Sequence, residues 1–255
     1  MSDLILEAIS ANQIGVGNIS FLKLRECGKR NLDIWGELGR GRAVLSSLGQ
    51  LDQYLYSYGL MIQTQWEGFL PNVSLPSGSI VLIDYGCGQG LGSALLFDHF
   101  GSALVSCIKS ITLIEPSEIA LTRAKAILEC YCPGATFSLI NKKFDDVSDA
   151  DIPSDQDCHY LHVFSNVLDI NGFDCAALFT KMFSVKGSHT VFAVSHDRNF
   201  EGGNDTIEDL DRQVKDPEHN NWFSLKSSQI NKFVSSNGTP TITWEIHLDV
   251  LNGSV

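Results

Sequence analysis

The chain has 255 residues, 44% of them hydrophobic and 19% charged, and its formal net charge is −12. That composition belongs to a globular protein with a substantial core, long enough for one large domain or for a domain with an appendage. The acidic balance disfavours nucleic acid as an unaided partner, because little positive charge is on offer to displace counterions from a phosphate backbone.

No apolar run approaches the ~18–20 residues that span a bilayer. The opening "MSDLILEAISANQ" carries an acid where a secretory leader carries base, so a cytoplasmic protein with no membrane partner is expected. The seven cysteines include no CxxC pair, and "CYC" at 130–132 lacks further ligands nearby. Free thiols in a reducing compartment, and no metal, are the expectation.

In chain order, a short helix is predicted over 2–11, and "GELGRGR" at 36–42 reads as a glycine-punctuated loop. Val44, Leu48, Leu51, Leu55, Tyr58, Ile62, Trp66 and Phe69 recur at helical spacing and predict one long amphipathic helix over 43–69. Gly68 with Pro71 ends it. Tyr58 and Trp66 fall on the buried stripe. Tyr54 and Gln63 fall off it and are the better candidates for lining a pocket. These elements make an N-terminal helical region, 1–76, a lid or a docking segment through which a protein partner could bind.

Beyond it, in 77–255, strand candidates at 80–84, 110–115, 136–141, 158–164 and 188–195 alternate with helix candidates at 91–105, 117–131 and 173–183. This order predicts an α/β fold: a doubly wound, mostly parallel sheet with helices on both faces. The stretch 197–221 reads as a long loop with a helical turn or two at "TIEDLDRQV". A helix is predicted at 227–236, stopped by Gly238, and a final strand at 241–251. The tail is then one strand short, unless "NNWFSLKS" at 220–227 supplies it or a partner covers that edge.

The chemistry concentrates in "IVLIDYGCGQG" at 80–90. A buried strand runs into Asp84, and then side chains are lost at Gly86, Gly88 and Gly90. At the carboxyl edge of a doubly wound sheet, bare backbone lets a ligand approach closely. The G-x-G-x-x-G dinucleotide spacing fails here, since the last position falls on Leu91 or Ser93. A nicotinamide oxidoreductase is disfavoured accordingly, and no P-loop Lys-Ser/Thr follows.

The run Asp84-Tyr-Gly86-Cys87-Gly88-Gln-Gly90 resembles the D/E-x-G-x-G-x-G motif of class I S-adenosylmethionine-dependent methyltransferases, over roughly residues 78–196. "ITLIEPS" supplies the second landmark of that family, Glu115, one helix and one strand further on. The resemblance implies S-adenosylmethionine as cofactor. It places Asp84 on the methionyl ammonium through water, the three glycines along the methionyl and ribose portion, Glu115 on the ribose hydroxyls and Pro116 on the adenine. In "LINKKFDDV" it implies Phe144 as a stacking partner and Asp145 or Asp146 on the adenine amino group.

The end of the fourth strand, Ser165–Asn166, is expected to face the reacting centre. It carries neither the Asn/Asp-Pro-Pro-aromatic motif of DNA amine methylation nor the Pro-Cys of cytosine C5 chemistry. A small-molecule or protein acceptor is therefore expected, with Asn166, Asp169 and His196 as candidate catalytic groups. His159 and His162, inside a central strand, read as core histidines. Arg40 and Arg42 sit within reach of the glycine loop and read as solvated. The alternative is a methyltransferase-fold accessory subunit that binds cofactor with little or no turnover.

Overall fold

The computed structural model describes residues 3–155, 157–170, 172–197, 205–219 and 221–252. Four helices come first: α1 (Leu4–Ser10), α2 (Phe21–Glu26), α3 (Leu32–Trp35) and α4 (Leu48–Phe69). Strands β1 (Ile80–Tyr85), β2 (Ile108–Ile114), β3 (Thr136–Ile140), β4 (His159–Ser165) and β5 (Gly187–His196) follow. Between them lie α5 (Leu91–Phe100), α6 (Ser102–Val105), α7 (Glu118–Tyr131) and α8 (Cys175–Met182). Then come α9 (Thr206–Val214), β6 (Phe223–Val234) and β7 (Pro240–Val250).

The strands form one seven-stranded sheet in the order β3-β2-β1-β4-β5-β7-β6. β1 through β5 pair in parallel, and β7 runs antiparallel to both β5 and β6. Every residue of β1 is buried, as a central parallel strand covered on both faces requires. Side chains alternate across it. Ile80 and Leu82 join a core with α4, α5 and α7, whereas Val81, Ile83 and Tyr85 join the opposite core with α8 and α9. Ile5, Leu24, Leu55 and Trp66 of the N-terminal helices belong to the first core, so these helices are packed onto the sheet itself.

The helices begin where side chains satisfy their free N–H groups. Asp3 caps α1, Ser47 caps α4 and Ser117 caps α7. The long helix starts at Leu48 rather than 43, and Val44 is left half exposed ahead of the Ser47 cap. The span predicted as one helix over 91–105 breaks at Gly101, whose φ of 53° ends α5.

The helix predicted at 227–236 is instead the second half of β6. Its apolar residues do recur at helical spacing, but β7 offers a complete ladder of backbone partners and the pairing overrides local preference. A register shift between Leu225 and Ser227 blurs the strand alternation that would have disclosed it. Gly238, at φ 86°, is the hairpin glycine between β6 and β7 rather than a helix stop. The tail therefore lacks no strand. "TIEDLDRQV" forms α9, while residues 198–204 and 220 of the predicted loop lie outside the described residues.

His162 and His189 stack at 5.2 Å in the core, and their hydrogen bonds fix their protons. His189 Nε2 must donate, because its partner 2.9 Å away is the Val185 carbonyl. Its Nδ1 then accepts from His162 Nε2 at 2.9 Å, and His162 Nδ1 accepts from the Tyr85 hydroxyl at 3.2 Å. With both rings neutral, an added proton enters only by reversing the direction of the bonds that join His189, His162 and Tyr85. Burial, reinforced by the neighbouring histidines, drives His162 well below the usual histidine range. Burial also takes His189 down to about 4. A depressed histidine stabilises fully above its unfolded value of about 6.5 and loses that stabilisation as pH falls towards 4. For His189 this amounts to roughly 3 kcal/mol. Urea unfolding is expected to show stability falling between pH 6.5 and 4, with a shallower slope in a His162→Phe/His189→Met variant. Among the described residues, no helix is long and apolar enough to cross a membrane.

Candidate functional site

The carboxyl ends of β1, β2 and β4 converge on a cavity of about 320 Å³, at the low end of the range for small-molecule sites. The glycine loop forms one wall, and each glycine has its own reason to be there. Gly86, at φ 62°, would drive a Cβ to 2.7 Å from Val167 and 3.1 Å from Phe144. Gly88, at φ 51°, would project its Cβ into open space, and the residue lines the cavity. Gly90, at φ 75°, would meet Ala124 of α7 at 3.2 Å. Its bare Cα serves helix packing, and it does not line the cavity. Cys87 is likewise buried away from the lining, and burial raises its thiol far above the usual range.

Two carboxylates flank the loop. Glu115, just past β2, accepts the Gly88 N–H at 3.1 Å and the Ser117 N–H at 2.9 Å. Burial raises its pKa, and the Ser117 and Gly88 donors oppose the rise. Asp84 is 1% exposed and accepts from Ser93 Oγ at 2.6 Å through one oxygen. Its other oxygen is buried without a hydrogen-bond partner among the described residues. Burial pushes this carboxyl up to about 7, with the Ser93 bond lowering it and the Glu115 charge raising it. A buried carboxylate with one unanswered oxygen is costly alone and suits a cationic donor.

Pro116, Phe144 and Asp145 complete the far wall. Phe144 meets Phe173 edge-on at 4.7 Å, and Asp145 accepts the Asp174 N–H at 3.1 Å. Of the two aspartates the sequence left open, Asp145 lines the cavity and Asp146 does not.

Ser165 and Asn166 also face the cavity, and they are held from a helix a hundred residues earlier in the chain. Trp66 Nε1 donates to Ser165 Oγ at 3.0 Å, and Asn166 Nδ2 donates to Gln65 Oε1 at 2.9 Å. Consecutive residues of α4 thus fix consecutive residues at the end of β4. Asn166 sits at φ 54°, a left-handed conformation uncommon outside glycine. Its Oδ1 is buried without a hydrogen-bond partner among the described residues. Trp66 is a core residue, as its periodicity indicated; a buried indole N–H also demands a partner, and that is the signal for this second role.

A second cavity of about 270 Å³ shares Gly41, Arg42, Tyr54 and Asn166 with the first. Asp169 and His196 line only this one, together with Arg40, Tyr58 and Met61. Arg40 and Arg42 are exposed, as read from sequence, and they also border the second cavity. Gln63, read as a pocket residue, does not: it accepts from Arg25 and donates to Glu67, 2.7 Å each, on the outer side of α4.

Sequence reasoning missed the clamp behind the loop. Arg123 of α7 is fully buried, and its Nε donates to Asp3 at 2.8 Å. One terminal nitrogen donates to Gln89 Oε1 at 3.0 Å, and the other lies 2.9 Å from Asp52. Gln89, inside the glycine loop, donates in turn to the Leu51 carbonyl at 2.8 Å. The loop is thereby tied to both α1 and α4.

The strand order, with β7 alone reversed against its neighbours, is the class I methyltransferase architecture. No family model matches the sequence, and no curated protein sequence matches it. Among solved structures, a chain of the Haloferax volcanii complex between the Trm112 methyltransferase activator and a methyltransferase is similar at 12% identity. The match covers 88% of this chain and all of that one (100%), with a TM-score of 0.49. M. jannaschii TYW2 in complex with AdoMet is similar at 13% identity over 74% of this chain and 77% of that one, TM-score 0.45. An rRNA methylase from Streptococcus thermophilus is similar at 15% identity over 76% and 97%, TM-score 0.43. Likeness at this level brings no substrate with it, and the chemistry must be argued from the site.

Proposed function

We propose that the protein is an S-adenosylmethionine-dependent methyltransferase acting on a small-molecule or protein acceptor. One observation carries the reading: a bare glycine faces an open cavity while Glu115, from the adjacent strand, holds that glycine's N–H. Glu115 lines the cavity and fits the ribose hydroxyls of the cofactor. Asp84 lies behind the lining, and its half-answered carboxylate fits the cofactor's ammonium through an intervening water. Pro116, Phe144 and Asp145 fit the adenine end, and Ser165 the side nearest the reacting centre. When bound, the cofactor supplies an electrophilic methyl group on a sulfonium.

The chain's own part is to position and to exclude water. Asn166, fixed by Gln65, orients the acceptor where the two cavities meet. Asp169 and His196 lie in the second cavity, where an acceptor hydroxyl or protonated amine would lose its proton. The segment 40–45, with Tyr54, Tyr58 and Met61 of α4, closes over this site. The free thiols suit a reducing, cytoplasmic setting.

Calorimetric titration with S-adenosylmethionine and S-adenosylhomocysteine tests the cofactor site. Gly88→Val is expected to weaken binding at least 100-fold with little change in helix content by circular dichroism, because a β-branched residue cannot hold the left-handed backbone there and its methyls occupy the ligand's space. Glu115→Ala is expected to weaken it at least tenfold, since it removes a ribose partner and frees the loop N–H. Unchanged affinity in both variants would overturn the assignment. The accessory-subunit reading draws on Leu32 and Trp35, which are 65% and 56% exposed in the N-terminal region. Tight binding without turnover across a broad acceptor panel would favour it.

A further inference from the structure

We infer that the second cavity accepts a small aromatic anion, a ring bearing a carboxylate or phosphate, held between the Arg40–Arg42 strap and the Tyr54–Tyr58 pair. The inference deepens the methyltransferase reading and rests on it, since it names the class of acceptor for the same site.

The strap is built by its backbone. Gly39, Arg40 and Gly41 run at φ 54°, 59° and 86°, three left-handed residues in succession. Two are glycines and accept this freely. Arg40 does not, and a non-glycine side chain held in that strained region points to a use for that side chain. The run folds the chain over the tyrosines: a Cβ on Gly41 would meet the Tyr58 ring at 3.6 Å and the Tyr54 ring at 3.8 Å. Arg40 and Arg42 are thereby carried to the cavity wall on either side of Gly41.

Charge identifies the ligand's polar group. The protein has 30 acidic residues against 18 Lys and Arg, and carboxylates are plentiful partners for its cations. Arg123, Lys142, Lys215 and Lys232 all take them. Neither Arg40 nor Arg42 makes an ion pair or side-chain hydrogen bond with any described residue. Two guanidiniums in one strap match the geometry of a carboxylate or phosphate.

The rest of the wall identifies the ligand's body. Tyr54 and Tyr58 lie 5.0 Å apart with their rings tilted by 53°. With Met61 they offer a ring-sized apolar face. Asp169 is also in the wall and repels an anion, so the ligand's charged end belongs at the strap and its reacting group towards Asn166, Asp169 and His196. The volume fits one small ring compound and excludes a folded macromolecule. Arg42 borders both cavities and serves either ligand, whereas Arg40 borders only the second, which makes Arg40 the discriminating residue.

The test is calorimetry on the full chain saturated with S-adenosylhomocysteine, whose own titration reads the first cavity separately. The probes are 4-hydroxybenzoate, phenyl phosphate, the neutral 4-hydroxybenzamide and inorganic phosphate. At least one aromatic anion is expected to bind tenfold or more tightly than both the amide and inorganic phosphate. Arg40→Gly, which suits the left-handed backbone while removing the charge, is expected to abolish that preference and leave the affinity for S-adenosylhomocysteine unchanged. Arg40→Lys is expected to retain part of it. Equal binding of anion and amide, no binding of either anion by a chain that binds S-adenosylhomocysteine, or a preference that survives Arg40→Gly overturns the inference. Failure to bind S-adenosylhomocysteine counts instead against the cofactor site. In that case the same four titrations without it still decide the anion preference.

Discussion

Arg123→Met is expected to lower the unfolding free energy by about 3–5 kcal/mol, the largest single effect on stability anticipated for this fold. The side chain is fully buried and faces two buried carboxylates, Asp3 and Asp52. A methionine of similar length fills the space and leaves both acids without their cation. Asp3 keeps its capping bonds to the Ile5 and Leu6 N–H groups, so Asp52 is the more exposed to the loss. Burial already raises the Asp52 pKa, and the Arg123 charge is the main influence opposing that rise. Without it the Asp52 pKa climbs further. A carboxyl whose folded pKa lies above its unfolded value loses stability as pH rises through the folded value. The gap between variant and wild type is therefore expected to be wider at pH 8 than at pH 5, and Arg123→Met/Asp52→Asn is expected to recover part of it at pH 8. Urea denaturation at both pH values measures this. A loss under 1 kcal/mol at pH 8 would mean the ion pairs merely replace an equally good apolar packing.

The contrast between this clamp and the glycine loop shows which features a sequence discloses. Asp84, Gly86, Gly88 and Glu115 are legible because each follows from local order: a buried strand, a bend without side chains, a helix, a second strand. The architecture was legible for the same reason, since alternating strands and helices leave few topologies. Gln65, Gln89 and Arg123 carry no such mark. A glutamine or arginine among apolar helical positions reads as surface, and only the folded chain brings Gln65 to Asn166 and Arg123 to Asp3. The strap of Arg40 and Arg42 reads in sequence only as a loop. Its left-handed run, which turns it over Tyr54 and Tyr58, depends on tertiary contacts. β6 was hidden because an outermost strand with one exposed face and a register shift loses its alternation.

If the proposed cofactor site is right, its affinity depends on pH through Asp84. Burial holds its carboxyl at about 7 in the free protein, so near neutrality it is divided between protonated and ionised forms. An ammonium binds the ionised form and lowers the carboxyl pKa, and binding is then accompanied by release of a proton below pH 7. The dissociation constant for S-adenosylhomocysteine is expected to rise about tenfold per pH unit below 7, until the pKa of the bound state is reached, and to level off above about 8. The same raised pKa makes the free protein less stable as pH climbs from the unfolded value near 4 towards 7, and a bound cation offsets that loss. Ligand-induced thermal stabilisation should therefore be larger at pH 8 than at pH 6. Asp84→Asn removes the titration without changing shape. Its affinity is expected to be pH-independent across this range and, at pH 8, about 10- to 100-fold weaker than wild type, as the loss of one charge-assisted hydrogen bond implies. Calorimetry in two buffers of different ionisation enthalpy counts the protons released. A wild-type profile flat from pH 6 to 8, with no proton release, would show that Asp84 does not meet the ligand's cation.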